Sequence, residues 1–339
     1  MQIQLSGILY PNLTLMGKYD FLMVLSNYNN DLKMMNILDT IGNTPIVKLQ
    51  RILPNGCGEI YIKLEANNPT GSKKDRMALA MIEGAEKRGV LKPGMTVVEY
   101  SGGSTGAGLA FVCGIKGYRF RLVTADVFGK EKIGLMKALG ADLEIIKSDN
   151  GKITKGLIKK MIKRASEISD NPDTFFTNQL NNYDVINGFI PLGDEILHQL
   201  NGKVDAVCDT IGTAGTLMGI AKSFKSKGVN SKIIALEPAS SPVLSKGIKG
   251  AHNVEGVGLG FVPAIYDSKY IDSVMAIEES LARQTCKDLA NKEGIFCGTS
   301  SGMNVAGAIK LSMALGPKSK VVTVACDTGL KYLSEGLFS

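Results

Sequence analysis

The feature that most limits what this chain can fold into is a rhythm. From Thr96 onward, short β-branched runs alternate with stretches whose apolar residues recur at helical spacing. TVVEY precedes a helix expected from about Thr105, RFRLVTA one from about Lys130, and ADLEII one over Lys152 to Arg164. After Asp205 the pattern returns in VDAVCDTIG, KIIALEP, SVMAI and KVVTVACD. Strands alternating with helices build parallel sheets covered on both faces. The expected fold class is therefore α/β, with two open, mostly parallel twisted sheets flanked by helices.

A chain of 339 residues, 44% of them hydrophobic, is long enough for two such units around one cleft. Its 39 basic and 32 acidic residues are intermixed, and the densest basic stretch, KITKGLIKKMIKR, reads as one solvated helix face. Nothing in that charge pattern points to nucleic acid. No apolar run approaches the ~20 residues of a membrane span. Two histidines give no convincing metal cluster, and no metal is expected. The six cysteines are scattered without a CxxC pair, which suits buried thiols in the reducing cytoplasm. Residues 1–35 lack the basic start of a signal peptide and read as an N-terminal extension or a misassigned start. The turn-rich segment Asp170 to Asn182 reads as a passage between lobes.

Four segments carry candidate chemistry. In KLEANNPTGSKKDR, Ser72 with Asp75 three residues later resembles a helix cap. Lys73 and Lys74 then fall in a first helical turn, where the helix dipole and a neighbouring cation disfavour the ammonium form. Two surface lysines are the plainer alternative. In EYSGGSTGAG, small residues after a strand let backbone amides approach a carboxylate or phosphate at a helix start. A tight turn competes with that reading, as does a dinucleotide fingerprint using Gly103, Gly106, Gly108 and Asp126. GTAGT, Gly212 to Thr216, offers amides and two hydroxyls at another helix start, a cup for one phosphate. GTSSG, Gly298 to Gly302, ends a short apolar strand expected at GIFC, starts a small-residue helix and by itself reads as a serine cap.

In order along the chain, IGNTPIVKL, KLEANNPTGSKKDR, SGGSTGAGLA, GTAGT, EPASSPVLS, EGVGLGFVP and GTSSG closely resemble the cysteine synthase (O-acetylserine sulfhydrylase) family, over roughly Ile37 to Leu333. That family belongs to the pyridoxal-phosphate enzymes of the tryptophan synthase β type. The resemblance implies pyridoxal 5′-phosphate as cofactor, carried on Lys74, with Lys73 a bystander. It implies a phosphate loop of Gly212, Thr213, Ala214, Gly215 and Thr216, and Ser300 at the pyridine nitrogen. It places the substrate carboxylate on Ser101, Gly102, Gly103, Ser104 and Thr105 with Gln179, and Gly256 along the cleft. A hydroxyl at the pyridine nitrogen makes the ring a weaker electron sink, favouring elimination across Cα and Cβ. The implied reaction is β-replacement: Lys74 removes the Cα proton, the β-substituent of O-acetylserine or another activated serine leaves, and sulfide or a thiol adds. A homodimer and a serine acetyltransferase partner are implied as well.

Two departures bear on the substrate. The resemblance also makes Ser104 a cofactor-binding position, standing where the family has an asparagine that touches the cofactor's phenolic oxygen, and NNYDVINGFIPLGDEI lacks the family's histidine and paired threonines. Cystathionine β-synthase-like or diaminopropionate synthase-like replacement, or elimination as in a serine dehydratase or cysteine desulfhydrase, are the alternatives within the cofactor class. A nicotinamide oxidoreductase and a non-catalytic scaffold leave Lys74 and GTAGT without a role. The expected organisation is a large cofactor domain of residues 36–78 plus 180–339 and a small mobile substrate domain of residues 79–179.

Overall fold

The computed structural model describes residues 36–149 and 154–338, so the N-terminal extension lies outside the described residues. Thr40–Ser339 forms a compact unit of its own.

Its chain order is β1 (Ile46–Lys48), β2 (Glu59–Leu64), α1 (Lys74–Lys87), β3 (Thr96–Tyr100), α2 (Ser104–Lys116), β4 (Arg119–Ala125), α3 (Lys130–Ala138) and β5 (Asp142–Ile146). There follow α4 (Lys155–Ser169), β6 (Thr174–Phe176), α5 (Asp184–Gln199), β7 (Ala206–Thr210), α6 (Gly215–Ser226) and β8 (Lys232–Pro238). The short α7 (Val243–Lys246), then β9 (Ser273–Ile277), α8 (Glu279–Asp288), α9 (Thr299–Leu315), β10 (Lys320–Ala325) and a 3-10 turn over Gly329–Glu335 complete it. Two sheets result, one ordered β1-β2-β10-β7-β8-β9 and the other β5-β4-β3-β6. All pairings are parallel except β1 with β2. The expected fold class is the one found.

The centre of the larger sheet shows why. Strand β7 is buried along its whole length and β10 nearly so, which is the continuous burial of a parallel strand covered on both faces. Ile60, Ile62, Cys208, Leu236, Val305 and Val321 meet in its core, while Val98, Val123, Leu157 and Met161 form the core of the smaller sheet. All six cysteines are free thiols, and five are buried. Among the described residues no helix is long and apolar enough to cross a membrane.

Two local expectations need correction. The turn-rich stretch 170–182 contains β6, three residues that pair with β3 at the sheet edge. A strand so short gives no alternation to read. The run GIFC is not a strand: Cys297 makes one isolated bridge, to Thr328. The basic helix begins at Lys155 and turns Leu157 and Met161 inward, as its spacing predicts; Ile153 lies outside the described residues.

Candidate active site

In open parallel sheets, ligands bind beyond the carboxyl ends of the strands. Here β3 leads into Ser101–Thr105, β4 towards Lys132, β6 into Gln179, β7 into Gly212 and β10 into Asp327. Segments from both sheets therefore converge, and side chains join them.

The KDR segment shows how Lys74 is set apart. Helix α1 starts at Lys74, whose backbone N–H donates to Ser72 Oγ at 3.2 Å. Asp75 does not reach back as a capping box requires; its carboxylate accepts the Thr70 N–H at 2.7 Å and the Thr70 hydroxyl. Arg76 is buried between Glu65 and Glu195, with Nε and Nη1 each 2.7 Å from a carboxylate oxygen. Both neighbours downstream are thus anchors. Lys74 itself is half-buried, and among the described residues no carboxylate pairs with its Nζ. Burial, and then the Lys73 ammonium, push its amine down to about 8.

Lys73 is not a surface lysine. Its side chain is 7% exposed and its Nζ lies 2.8 Å from Asp209 Oδ2 and 3.1 Å from Oδ1. Burial opposes its charge, but Asp209 outweighs burial and holds Lys73 above the usual lysine range.

The GTAGT loop is buried throughout and opens α6, a helix of 12 residues. Ala214 adopts φ +73°, and the Thr213 hydroxyl accepts the Gly215 N–H at 3.3 Å. Gly212 is required by a close approach: a Cβ there would overlap the Gly256 carbonyl oxygen. The Gly258 N–H donates to Ile211 O at 3.0 Å, so the EGVGLG segment is laced to the cup.

The second loop is wound tightly. Ser101 Oγ accepts the N–H groups of Gly103 and Gly106, both at 3.1 Å, and so shapes the loop from within. Phe128 packs against Gly102. Thr105 donates its hydroxyl to Gln179 Oε1 at 2.8 Å, and Gln179 Nε2 donates to Tyr100 O at 3.1 Å. Beneath them Glu99 accepts the Thr177 hydroxyl at 2.6 Å and the Gln179 N–H at 3.0 Å. Ser104 donates to Asp327 Oδ2 at 3.2 Å and accepts from Lys331 Nζ at 3.2 Å. Burial lowers the pKa of Lys331. Ser300, the second residue of α9, is buried with its hydroxyl against the Cys326 thiol.

The dinucleotide alternative fails on position. Asp126 is exposed and accepts the Ser148 N–H at 2.8 Å, while Gly108 packs against the Lys74 carbonyl and Asp75. Sequence reading also missed a clasp. Lys132 on α3, 2% exposed, places its Nζ 2.6 Å from Glu255 Oε2, 2.7 Å from Glu335 Oε1 and 4.1 Å from the Tyr332 ring centroid. Its stem underlies Gly103, where a Cβ would lie 3.1 Å from Lys132 Cδ. The faint sequence signal was Glu255 standing directly before Gly256.

A helix start with buried hydroxyls for one phosphate, a lysine amine lacking an anionic partner and a buried serine on a third element suit the phosphate, aldehyde and ring nitrogen of pyridoxal phosphate. The residues fit that cofactor.

Comparison with known proteins agrees. The family model described as pyridoxal-phosphate dependent enzyme matches residues 37–327. A cysteine synthase of Staphylococcus aureus (strain Mu50 / ATCC 700699) is 40% identical over 306 residues, covering 90% of this chain and 97% of that protein. A crystal structure of O-ureido-L-serine synthase superposes with a TM-score of 0.83 at 36% identity, covering 90% of this chain and 95% of that one. A cysteine synthase from Entamoeba histolytica gives 0.83 at 34% identity, covering 91% and 92%. This chain belongs to the pyridoxal-phosphate dependent enzymes.

Proposed function

We propose that the protein makes L-cysteine from O-acetyl-L-serine, or a closely related activated serine, and sulfide. The observation that carries this reading is the state of Lys74: a half-buried amine at a helix start, without an anionic partner and with its pKa held down to about 8. Near neutrality it offers about a few hundredfold more free base than an ordinary lysine. When bound, pyridoxal phosphate supplies an electron sink that acidifies the substrate Cα–H.

Around it the chain's residues divide the work. Gly212–Thr216 would hold the cofactor's phosphate with amides and hydroxyls, and Ser300 would face its ring nitrogen with a hydroxyl that does not charge it. Thr105 and Gln179, already bonded to each other, bind the substrate carboxylate with the Gly102–Ser104 backbone. Lys74 takes the Cα proton as the β-substituent leaves and returns it after sulfide adds. Residues 79–179, which contain the smaller sheet, act as the mobile substrate domain, and residues 36–78 with 180–339 as the cofactor domain. Closure of the first on the second excludes water from the reacting carbon.

A second reading has its own support. Ser104, smaller than the asparagine the family carries there, leaves room for a larger β-substituent or nucleophile.

The test is the visible spectrum of the yellow holoenzyme with O-acetylserine, before and after sulfide. A band that shifts with O-acetylserine, recovers with sulfide and yields cysteine supports the first reading. Indifference to O-acetylserine, with turnover of a bulkier β-substituted serine, moves the assignment to the second. Full activity in Lys74→Ala overturns both. The first reading also carries a homodimer and a serine acetyltransferase partner, which sedimentation of the protein alone and with that enzyme checks.

A further inference from the structure

Asp209 and Asn304 belong to none of the four candidate segments of the sequence, yet they meet Lys73 in one buried cluster. Asp209 Oδ1 accepts Asn304 Nδ2 at 2.6 Å as well as Lys73 Nζ. Asn304 Nδ2 also donates to Val324 O at 2.8 Å, and Asn304 Oδ1 accepts the Thr210 N–H at 2.7 Å. The Lys73 N–H donates to Cys326 O at 2.9 Å.

Each member adjoins a different part of the site. Lys73 precedes Lys74, Asp209 is on the strand that ends just before Gly212, and Asn304 follows Ser300 by one turn of α9. Cys326 precedes Asp327, the acceptor of the Ser104 hydroxyl. A buried ion pair stabilises a fold weakly, because desolvation of both charges offsets their attraction. Its consequence here is geometric: the two charges fix α1, β7 and α9 against one another at the level of the cofactor.

We propose that Lys73, through its ion pair with Asp209, is a positioning residue that locks the start of the Lys74 helix to the strand feeding the phosphate loop. It holds the amine and the phosphate cup at the separation the cofactor spans. Its charge has a second effect, since Lys74 is faced by Lys73, Asp209, Cys326 and Asp327, and of these Lys73 alone is cationic. Removing it leaves acidic neighbours and returns Lys74 towards an ordinary, protonated lysine. This inference rests on the assignment of Lys74 as the cofactor lysine.

The experiment is reconstitution of cofactor-stripped protein with pyridoxal phosphate, followed by the visible band against cofactor concentration and against pH. The variants are Lys73→Met, Lys73→Arg, Lys73→Met with Asp209→Asn, and Lys74→Ala. The double variant removes both charges and leaves no buried carboxylate unpaired, so it reports even if the single methionine variant fails to fold. Expected are a dissociation constant raised roughly tenfold or more in both methionine variants, the cost of a small misplacement of paired binding groups. The midpoint pH of band formation should rise in Lys73→Met, and Lys73→Arg should largely restore both properties. Wild-type affinity and midpoint in the folded double variant overturn the inference while leaving Lys74 in place. A wild-type band in Lys74→Ala overturns the assignment beneath it instead.

Discussion

Replacing Lys132 by methionine tests the electrostatic account of the substrate loop most directly. Methionine keeps an unbranched stem beneath Gly103 and removes only the ammonium that Glu255 and Glu335 share at 2.6 and 2.7 Å. Deleting one partner of a buried ion pair costs about 3–5 kcal/mol, because the remaining charge is left desolvated. Water still reaches the two carboxylates that remain, whose side chains are 29% and 25% exposed, so the lower part of that range applies at pH 8. At pH 6 the cost is smaller. Burial already raises Glu255 to about 7 from an ordinary 4.5, and loss of Lys132 raises it further. Glu255 then takes up a proton that can hydrogen-bond to Glu335, and the penalty falls to about 1–2 kcal/mol, that of a strained neutral hydrogen bond. The sign follows from linkage. The folded protein holds this proton where the unfolded chain does not, so stability falls as pH rises from 4.5 through 7, and in the variant the fall continues above 7. Urea unfolding of the cofactor-loaded protein at pH 6 and pH 8 measures both values. A loss below about 1 kcal/mol that is the same at both pH values would refute the reasoning.

Three other outcomes follow from the same geometry. Gly212→Ala sets a methyl against the Gly256 carbonyl and displaces the phosphate cup, so cofactor affinity should fall by about two orders of magnitude in a fluorescence or absorbance titration. Ala214→Gly relieves a left-handed backbone worth about 1 kcal/mol, largely offset by glycine's greater unfolded-state freedom, and thermal unfolding should move upward by at most about 1 °C. Gln179→Leu removes the partner of the Thr105 hydroxyl and the donor to Tyr100 O, so steady-state kinetics should show KM for the amino acid raised about tenfold or more with a smaller change in kcat.

The repeating strands and helices, and the glycine-rich loops at helix starts, were legible because local sequence alone determines them. Period and turn chemistry act over a few residues, and Ser101–Thr105 and Gly212–Thr216 each follow a strand as expected. What the sequence concealed acts at long range. Asp209 lies 136 positions from Lys73, and Glu255 and Glu335 lie 123 and 203 positions from Lys132. No local pattern couples such residues. β6 was hidden for another reason, since its three residues sit among turn formers and become a strand only by pairing with Thr96–Val98.

The adjacent lysines show where local reading stops. Lys73 and Lys74 share a helix start, a dipole and a neighbouring charge, so from sequence both are candidate nucleophiles. Successive residues on a helix point about 100° apart, and that rotation sends them into different surroundings. Lys73 is turned onto Asp209 and stays charged. Lys74 is turned where no carboxylate pairs with it, and a desolvated cation without a partner gives up its proton. Buried Lys63 and Lys132 are also paired, each with a carboxylate oxygen 2.6 Å away, although burial still lowers the pKa of Lys63. The distinction between a structural lysine and a chemical one is therefore set by whether the fold supplies an anion. Placing a carboxylate beside Lys74 should move its reactivity to higher pH, read as a raised midpoint of the visible band, whereas deleting the amine abolishes the band.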